Sequence, residues 1–258
     1  MMENLDWNVI GAPLAAGLLV LSTHVLLGRE VLRRGIIFID LAIAQIAVMG
    51  VVAAQQLGWP EGGWETQAAA LSAALAGALM LHGFERFWPK QQEALIGISF
   101  VMAASGSLIL SIGNPHGAEH LQELLAGQLL WVRWQQLGWM AALYAVILLI
   151  WIGLGYQGRR FYLLFSLAIT ASVQVVGVYL VFACLIIPAL AVRKLGAVNG
   201  VMTGYGIGIL AFGGGLLLSS AFDLPAGPVV VWLLGIMAVL ARILFSIGSF
   251  AIPANTEQ

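Results

Sequence analysis

One stretch of the sequence places ionisable side chains beside or inside long apolar runs: THVLLGREVLRRGIIFIDLAIAQIAVMG, residues 23–50. His24 ends one apolar run, whereas Asp40 and Gln45 lie inside the next. A carboxylate within a membrane span costs at least about 2.5–3.5 kcal/mol, so it usually faces a polar path rather than lipid. Asp40 is therefore the first candidate for a functional residue.

A second group of ionisable side chains lies in the polar segment GNPHGAEHLQELLAGQLLWVRWQQLGW, residues 113–139. This segment predicts an amphipathic helix in the membrane interface. Its lipid side would carry Leu121, Leu124, Leu125 and Trp131. His116 and His120 are four residues apart, as are Glu119 and Glu123, so each pair would share a helical face. That spacing suits a divalent ion; the alternative is a solvated face with Glu119 favouring the helix N-terminus.

The composition indicates that lipid surrounds most of the chain. Of 258 residues, 61% are hydrophobic and only 9% are charged, and the mean hydropathy is +0.97. Soluble domains carry roughly 25% charged residues, so we predict an all-α polytopic membrane protein. The single cysteine, Cys184, allows neither an intrachain disulfide nor a cysteine-based metal cluster. The net charge of −1 argues against a nucleic-acid partner.

The apolar runs predict eight or nine transmembrane helices in one domain, residues 1–258, plus the interfacial helix. The runs are residues 8–27, 36–57, 66–83, 94–112, 137–155, 162–192, 198–221 and 226–249. The run 162–192 is too long for one ordinary span and contains Gly177 and Pro188. It is either one tilted helix or a broken, re-entrant pair. The acidic N-terminus lacks signal-peptide features, so we expect the first run to be retained as a span.

The positions of Lys and Arg predict the orientation in the cell (inner) membrane. Basic residues fall in the first, third and fifth loops: Arg29, Arg33, Arg34, Arg86, Lys90, Arg159 and Arg160. The second loop has only Glu61 and Glu65. The odd loops are therefore expected in the cytoplasm and the N-terminus outside. Arg193 and Lys194 obey the rule only if residues 162–192 enter and return, which favours nine segments and an inside C-terminus.

Small and polar residues indicate how the helices pack. Gly200, Gly204 and Gly208 form a double GxxxG pattern, which allows close approach of helix backbones. Ser166, Thr170 and Gln174 form a polar stripe that serves either interhelical hydrogen bonding or the lining of a pore.

The sequence contains no GxxxxGK[ST] phosphate loop, and HExxH, GxSxG and paired-cysteine motifs are also absent. We therefore do not expect an enzyme with its own nucleotide-binding site. Uphill transport would take its energy from another subunit or from an ion gradient.

Four motifs in order resemble the membrane permease of metal ABC transporters, the zinc/manganese importer family. They are RRGIIFIDLAIAQIAVMG, IGISFVMAASGSLIL, SLAITASVQVVGVYLVFACLIIPALA and DLPAGPVVVWLLG. The resemblance covers nearly the whole chain. It implies that Asp40 corresponds to a path-lining aspartate and that Gln45 stands at the position of a histidine. In the family that histidine follows the aspartate by four residues; here the separation is five, or about 140° around a regular helix.

The resemblance implies a homodimeric permease subunit whose central path carries a divalent metal ion, most simply zinc, as substrate without a permanently bound cofactor. An external metal-binding protein would deliver the ion and a cytoplasmic ABC ATPase would drive it. The family's docking segment is shortened here to GYQGRRFY, residues 155–162, so docking would use another inner loop, such as residues 84–93, or coupling has weakened. The alternative is an ion-coupled secondary carrier, for which we find no internal repeat. A scaffold role would leave Asp40 with no reason to be buried.

His24 is the predicted substitute for the missing histidine. With helix one running inward and helix two outward, His24 and Asp40 would lie at matching depth, about 6 Å from the inner ends of their spans. Together they would form a partial zinc site to which Gln45 adds a carbonyl oxygen. The alternative is a histidine that bonds a backbone carbonyl or pairs with Glu30. These donor types suit zinc, manganese and iron in overlapping ways.

Overall fold

Nine α-helices account for most of the residues that the structure, a computed structural model, describes: 7–60, 62–111, 125 and 127–250. The helices are α1 (Trp7–Arg34), α2 (Ile39–Gln56), α3 (Trp64–Phe87), α4 (Gln92–Ser111), α5 (Trp134–Leu154), α6 (Arg159–Val176), α7 (Val178–Ala191), α8 (Ala197–Phe222) and α9 (Ala226–Phe250). Eight are long and apolar enough to cross a membrane, and α7 is shorter. The predicted all-α polytopic fold is confirmed.

The long run 162–192 is a broken pair. Helices α6 and α7 are separated by Gly177 alone, whose φ of 82° lies in the region that favours glycine. Gly127 packs directly against this turn, because a Cβ built on it would lie 2.2 Å from the Val176 carbonyl oxygen. Helix α7 then returns along α1, where Gly28 approaches the Leu185 carbonyl. Of the two alternatives, the pair that enters and returns is the correct one.

Polar contacts gather one end of the bundle. The Arg34 guanidinium donates to the Glu85 carboxylate at 3.0 Å, and the Arg29 guanidinium donates to the Ala197 carbonyl at 3.0 Å. We call this the basic end; it comprises residues 29–38, 82–93, 154–161 and 193–197. Because Arg193 and Lys194 follow α7 at this same end, the positive-inside rule places the basic end in the cytoplasm.

The double GxxxG pattern packs α8 against α1. The three glycines of α8 are Gly200, Gly204 and Gly208, and their neighbours on α1 are, in the same order, Arg29, Val25 and Leu21. A Cβ built on Gly208 would lie 2.5 Å from Leu21, so the backbones approach too closely for a side chain. The expectation that these glycines serve packing is confirmed.

Helices α1, α2 and α6 form the centre of the bundle. In each of them 61% of the most apolar window is buried, against 17% in α4 and α9 and 22% in α5. Helix α2 contacts α3, α4, α6 and α7, so it is enclosed on most sides. Polar side chains on α1, α2 and α6 are therefore removed from lipid.

Candidate functional site

Asp40 lies in the first turn of α2 at the basic end, and its side chain is only 1% exposed. Neither carboxylate oxygen accepts a hydrogen bond from any described residue. The backbone N–H groups of Asp40 and Leu41 lie nearby, but their geometry is too poor for a hydrogen bond. Asp40 is thus a buried acid without a counter-ion among the described residues.

The position of Asp40 at a helix N-terminus compensates for its burial only in part. The helix dipole stabilises a carboxylate there by about 0.3–1 kcal/mol, and at most about 2 kcal/mol in partly buried geometries. Burying an unpaired ion costs several kcal/mol even after the protein relaxes. Because the penalty exceeds the compensation, the anion requires a bound cation or a proton, which makes Asp40 a strong cation-binding candidate.

Gln45 is 6% exposed and lines a groove of about 620 Å³ between α2, α4, α7 and α9. The groove also contains Ser107 and Tyr179, and its remaining lining is largely apolar. Asp40 and Gln45 are both buried although they point in different directions, because α2 is enclosed by several helices. The five-residue separation therefore does not expose either side chain.

His24 lies in a fully buried polar cluster formed by α1, α5 and α6. Its Nδ1 is 2.9 Å from the Val20 carbonyl oxygen, and its Nε2 is 3.3 Å from Ser172 Oγ. Ser172 Oγ is in turn hydrogen-bonded to the Tyr144 hydroxyl. A neutral imidazole satisfies this arrangement when Nδ1–H donates to the carbonyl and Nε2 accepts from the serine.

The predicted matching depth of His24 and Asp40 is wrong. Helix α1 continues to Arg34, ten residues beyond His24, which corresponds to about 15 Å. Asp40 is instead the second residue of α2. The polar break remains helical because Glu30 pairs with Arg33 and Arg34 one turn further along.

The structure favours the alternative in which His24 bonds a backbone carbonyl. Pairing with Glu30, the other form of that alternative, is wrong, because Glu30 receives hydrogen bonds from Arg33 and Arg34 instead. No hydrogen bond or ion pair joins His24 to Asp40 in the described part of the chain. Metal ligation by His24 stays a prediction and would require its ring to leave Ser172.

Replacing His24 with alanine is expected to lower stability more than it affects transport. The substitution empties a buried site and removes the acceptor of Ser172, at a cost of about 2–4 kcal/mol. Thermal unfolding of the purified protein measures the loss, with Ser105→Ala on the exposed face of α4 as the control. At equal membrane abundance, uptake should keep its wild-type metal dependence. A raised half-saturating metal concentration would instead identify His24 as a ligand.

An ion-pair network ties the helix ends together at the basic end. Glu30 accepts from Arg33 twice, at 2.7 Å each, and from Arg34 at 2.6 Å. Arg34 extends the network to Glu85, whose second oxygen lies 3.2 Å from His82 Nδ1. His82 is thus an interfacial histidine in an ion-pair network, as its sequence position indicates.

Glu93 is a polar residue that the sequence analysis did not single out. Its Oε1 accepts from the Phe38 N–H at 3.4 Å, just before α2, and its Oε2 is buried without a partner in the described part of the chain. An acid immediately before the apolar run of α4 was the available signal. Glu93 adds negative charge at the end of α2 that carries Asp40.

The four candidate ligands of the interfacial helix, His116, Glu119, His120 and Glu123, lie outside the described residues. Of their predicted lipid-facing neighbours, Trp131 is 79% exposed, whereas Leu125 is half-buried and packs on the core. Within the described ranges, no three His, Cys, Asp or Glu side chains are grouped closely enough to hold a metal ion.

The polar stripe of α6 divides between its two proposed roles. Ser166 is buried and donates to the Leu163 carbonyl, and Thr170 is buried with its hydroxyl unpaired among the described residues. Gln174 is exposed near the outer end of α6 and therefore does not carry its amide into the core.

Comparison with known proteins places the chain among transporters. The sequence profile of the ABC 3 transport family matches residues 6–162 and 156–245. A structure titled PsaBC from Streptococcus pneumoniae in complex with Fab superposes with a TM-score of 0.73 at 18% identity, over 94% of this chain and 96% of the other. An inward-facing metal-chelate type ABC transporter superposes with a TM-score of 0.61 at 14% identity, over 97% and 90%. Curated proteins gave no sequence match. The two structures share the fold of this chain.

Proposed function

We propose that this chain, which belongs to the ABC 3 transport family, is the membrane permease of an importer for divalent metal ions, with zinc as the favoured substrate. The observation that carries the proposal is the Asp40 carboxylate, which is buried in the membrane domain without a partner among the described residues. A passing metal cation would provide the missing charge. The structural neighbours, whose titles name ABC transporters of this type, support the same class of substrate.

In this proposal Asp40 contacts the ion at the cytoplasmic end of α2, and Gln45 contributes an amide from the groove further out. The groove is open on one side, so a second copy of the chain placed against it would enclose a path between two Gln45 side chains. This supports a homodimer. A monomeric mass for the active permease in lipid nanodiscs would argue against it.

The proposed energy source is a separate cytoplasmic ABC ATPase, because the chain has no phosphate loop of its own. The ATPase would dock at the basic end, where the α5–α6 connection is only residues 155–158 and the α3–α4 connection is residues 88–91. An external metal-binding protein would deliver the ion at the opposite end.

Uptake of isotopic zinc into proteoliposomes separates this proposal from an ion-coupled carrier. The permease is reconstituted with the ATPase encoded beside it, and the lumen is orientated so that ATP is added at the basic end. We expect uptake that requires ATP hydrolysis and persists without a proton gradient. Uptake driven by a proton gradient in the absence of both ATP and the ATPase would establish the secondary carrier instead.

The histidines of the interfacial segment give a further prediction. His116, Glu119, His120 and Glu123, together with Glu61 and Glu65, would form an acidic outer rim that concentrates divalent cations or meets a basic patch on the binding protein. Replacing His116 and His120 with alanine should raise the half-saturating metal concentration more than it lowers the maximum rate. An unchanged concentration dependence, measured at low and high salt, would return this segment to a solvated helix face.

A further inference from the structure

A cleft of about 660 Å³ opens at the basic end between α1, α5, α7 and α8. Its cytoplasmic half carries Arg29, Arg33 and Arg193, and its other half carries apolar side chains that include Leu26 and Val201. The cleft thus combines positive charge at the membrane surface with an apolar wall that reaches towards the membrane interior.

Two of the arginines have positive charge available for a ligand. Arg33 is neutralised by Glu30, which also pairs with Arg34. Arg29 donates to the Ala197 carbonyl, a neutral acceptor, and forms no ion pair in the described part of the chain; the same holds for Arg193. The cleft therefore has an excess of positive charge that an anion would balance.

The depth of the cleft distinguishes a lipid from a purely polar ligand. Leu26 and Arg33 are seven residues apart on α1, so the lining extends over about 10 Å along the helix. Trp151, stacked on Tyr156 at 3.9 Å between ring centroids, lies at the same level as the arginines. An amphipathic aromatic pair at this level is typical of the interface between headgroups and hydrocarbon.

We propose that this cleft binds an anionic phospholipid of the cytoplasmic leaflet. Arg29 and Arg193 contact the headgroup phosphate, and the first part of an acyl chain lies along Leu26 and Val201. Basic pockets between transmembrane helices on the cytoplasmic side suit such headgroups. The docking surface of a soluble protein would not need the apolar depth. The proposal is independent of which ion the chain transports.

Native mass spectrometry of the full-length permease tests this proposal. The protein is titrated with phosphatidylglycerol and with phosphatidylcholine of the same acyl chains, and with inorganic phosphate as a competitor. We expect retention of phosphatidylglycerol over phosphatidylcholine. Arg193→Gln should weaken phosphatidylglycerol binding about fivefold, and the Arg29→Gln/Arg193→Gln pair should weaken it about 25-fold, because each juxtamembrane charge contributes similarly. Arg193→Lys should retain most of the binding, since it keeps the charge.

Arg159→Gln is the matched control, because Arg159 is an exposed arginine of the basic end that does not line this cleft. Equal effects of Arg159→Gln and Arg193→Gln would overturn the proposal, as would equal binding of the two lipids. Displacement of phosphatidylglycerol by millimolar phosphate would show a small-anion site instead. Loss of ATPase co-purification in Arg193→Gln with lipid retention unchanged would assign the cleft to the ATPase.

Discussion

Asp40→Asn is expected to abolish metal uptake while the protein still inserts and assembles. Asparagine keeps the size of the side chain but removes the charge that would attract the cation. Removing one partner from a buried charge pair costs about 3–5 kcal/mol, which corresponds to a loss of roughly two orders of magnitude or more in binding. Uptake of isotopic zinc by cells, normalised to permease abundance in the membrane, measures the effect.

Glu65→Gln provides the matched control. Glu65 and Asp40 are both the second residue of a helix, but Glu65 lies at the opposite end of the bundle and is only half-buried. Loss of a helix-terminal charge alone should therefore leave uptake within about twofold of wild type. Wild-type uptake by Asp40→Asn at equal abundance would exclude Asp40 from the ion path.

The same substitution should not destabilise the metal-free protein. Because the Asp40 carboxylate has no partner in the described part of the chain, its replacement by a neutral amide removes a desolvation penalty without breaking an interaction. Thermal unfolding in the presence of a chelator is therefore expected at the wild-type temperature or above it. A clearly lower unfolding temperature would show that Asp40 contributes to folding, and reduced uptake would then have a structural cause.

Gly28→Ala is expected to cause the largest loss of folded protein. A Cβ at position 28 would lie 1.9 Å from the Leu185 carbonyl oxygen and 3.2 Å from the Ala189 side chain. Helices α1 and α7 would have to separate, because the first of these atoms belongs to the backbone and cannot rotate away. Overpacking usually costs about 1–3 kcal/mol, and a clash with backbone falls at or above the upper limit. The yield of monodisperse protein after detergent extraction measures the loss.

Gly206→Ala is the control for glycine removal from a membrane helix. Gly206 lies within α8, and a Cβ built on it meets no atom within 4 Å. This variant should be as stable as wild type or slightly more stable, since alanine favours the helix by up to about 1 kcal/mol. Equal yields of the Gly28→Ala and Gly206→Ala proteins would contradict the close packing of α1 on α7.

The membrane-spanning architecture could be predicted because it depends on the lengths of apolar runs. Each predicted run contains a helix, and the double GxxxG pattern lies where α8 packs on α1. The break at Gly177 was left open, since one tilted helix and two shorter helices share the same composition. Its resolution depends on tertiary contacts, namely the return of α7 along α1, which periodicity does not encode.

The candidate site could be predicted only in part. The burial of Asp40 followed from the cost of a carboxylate in an apolar run, and the structure encloses it as expected. The depth of His24 did not follow, because the end of α1 is set by the pairing of Glu30 with two arginines rather than by hydropathy. The partners of His24 were not predictable either: Ser172 is 148 residues away in sequence and reaches the imidazole only through the packing of α6 on α1.

Anomalous X-ray scattering at the zinc absorption edge, from crystals of the dimeric permease grown with zinc, tests most directly whether Asp40 contacts the transported ion. We predict an anomalous peak at about 2.0–2.2 Å from a carboxylate oxygen of Asp40. The peak should be lost in Asp40→Asn crystals grown in the same way. Zinc bound elsewhere in the membrane domain, with the Asp40 carboxylate unliganded and the peak unchanged in Asp40→Asn, would contradict the proposed role of this residue.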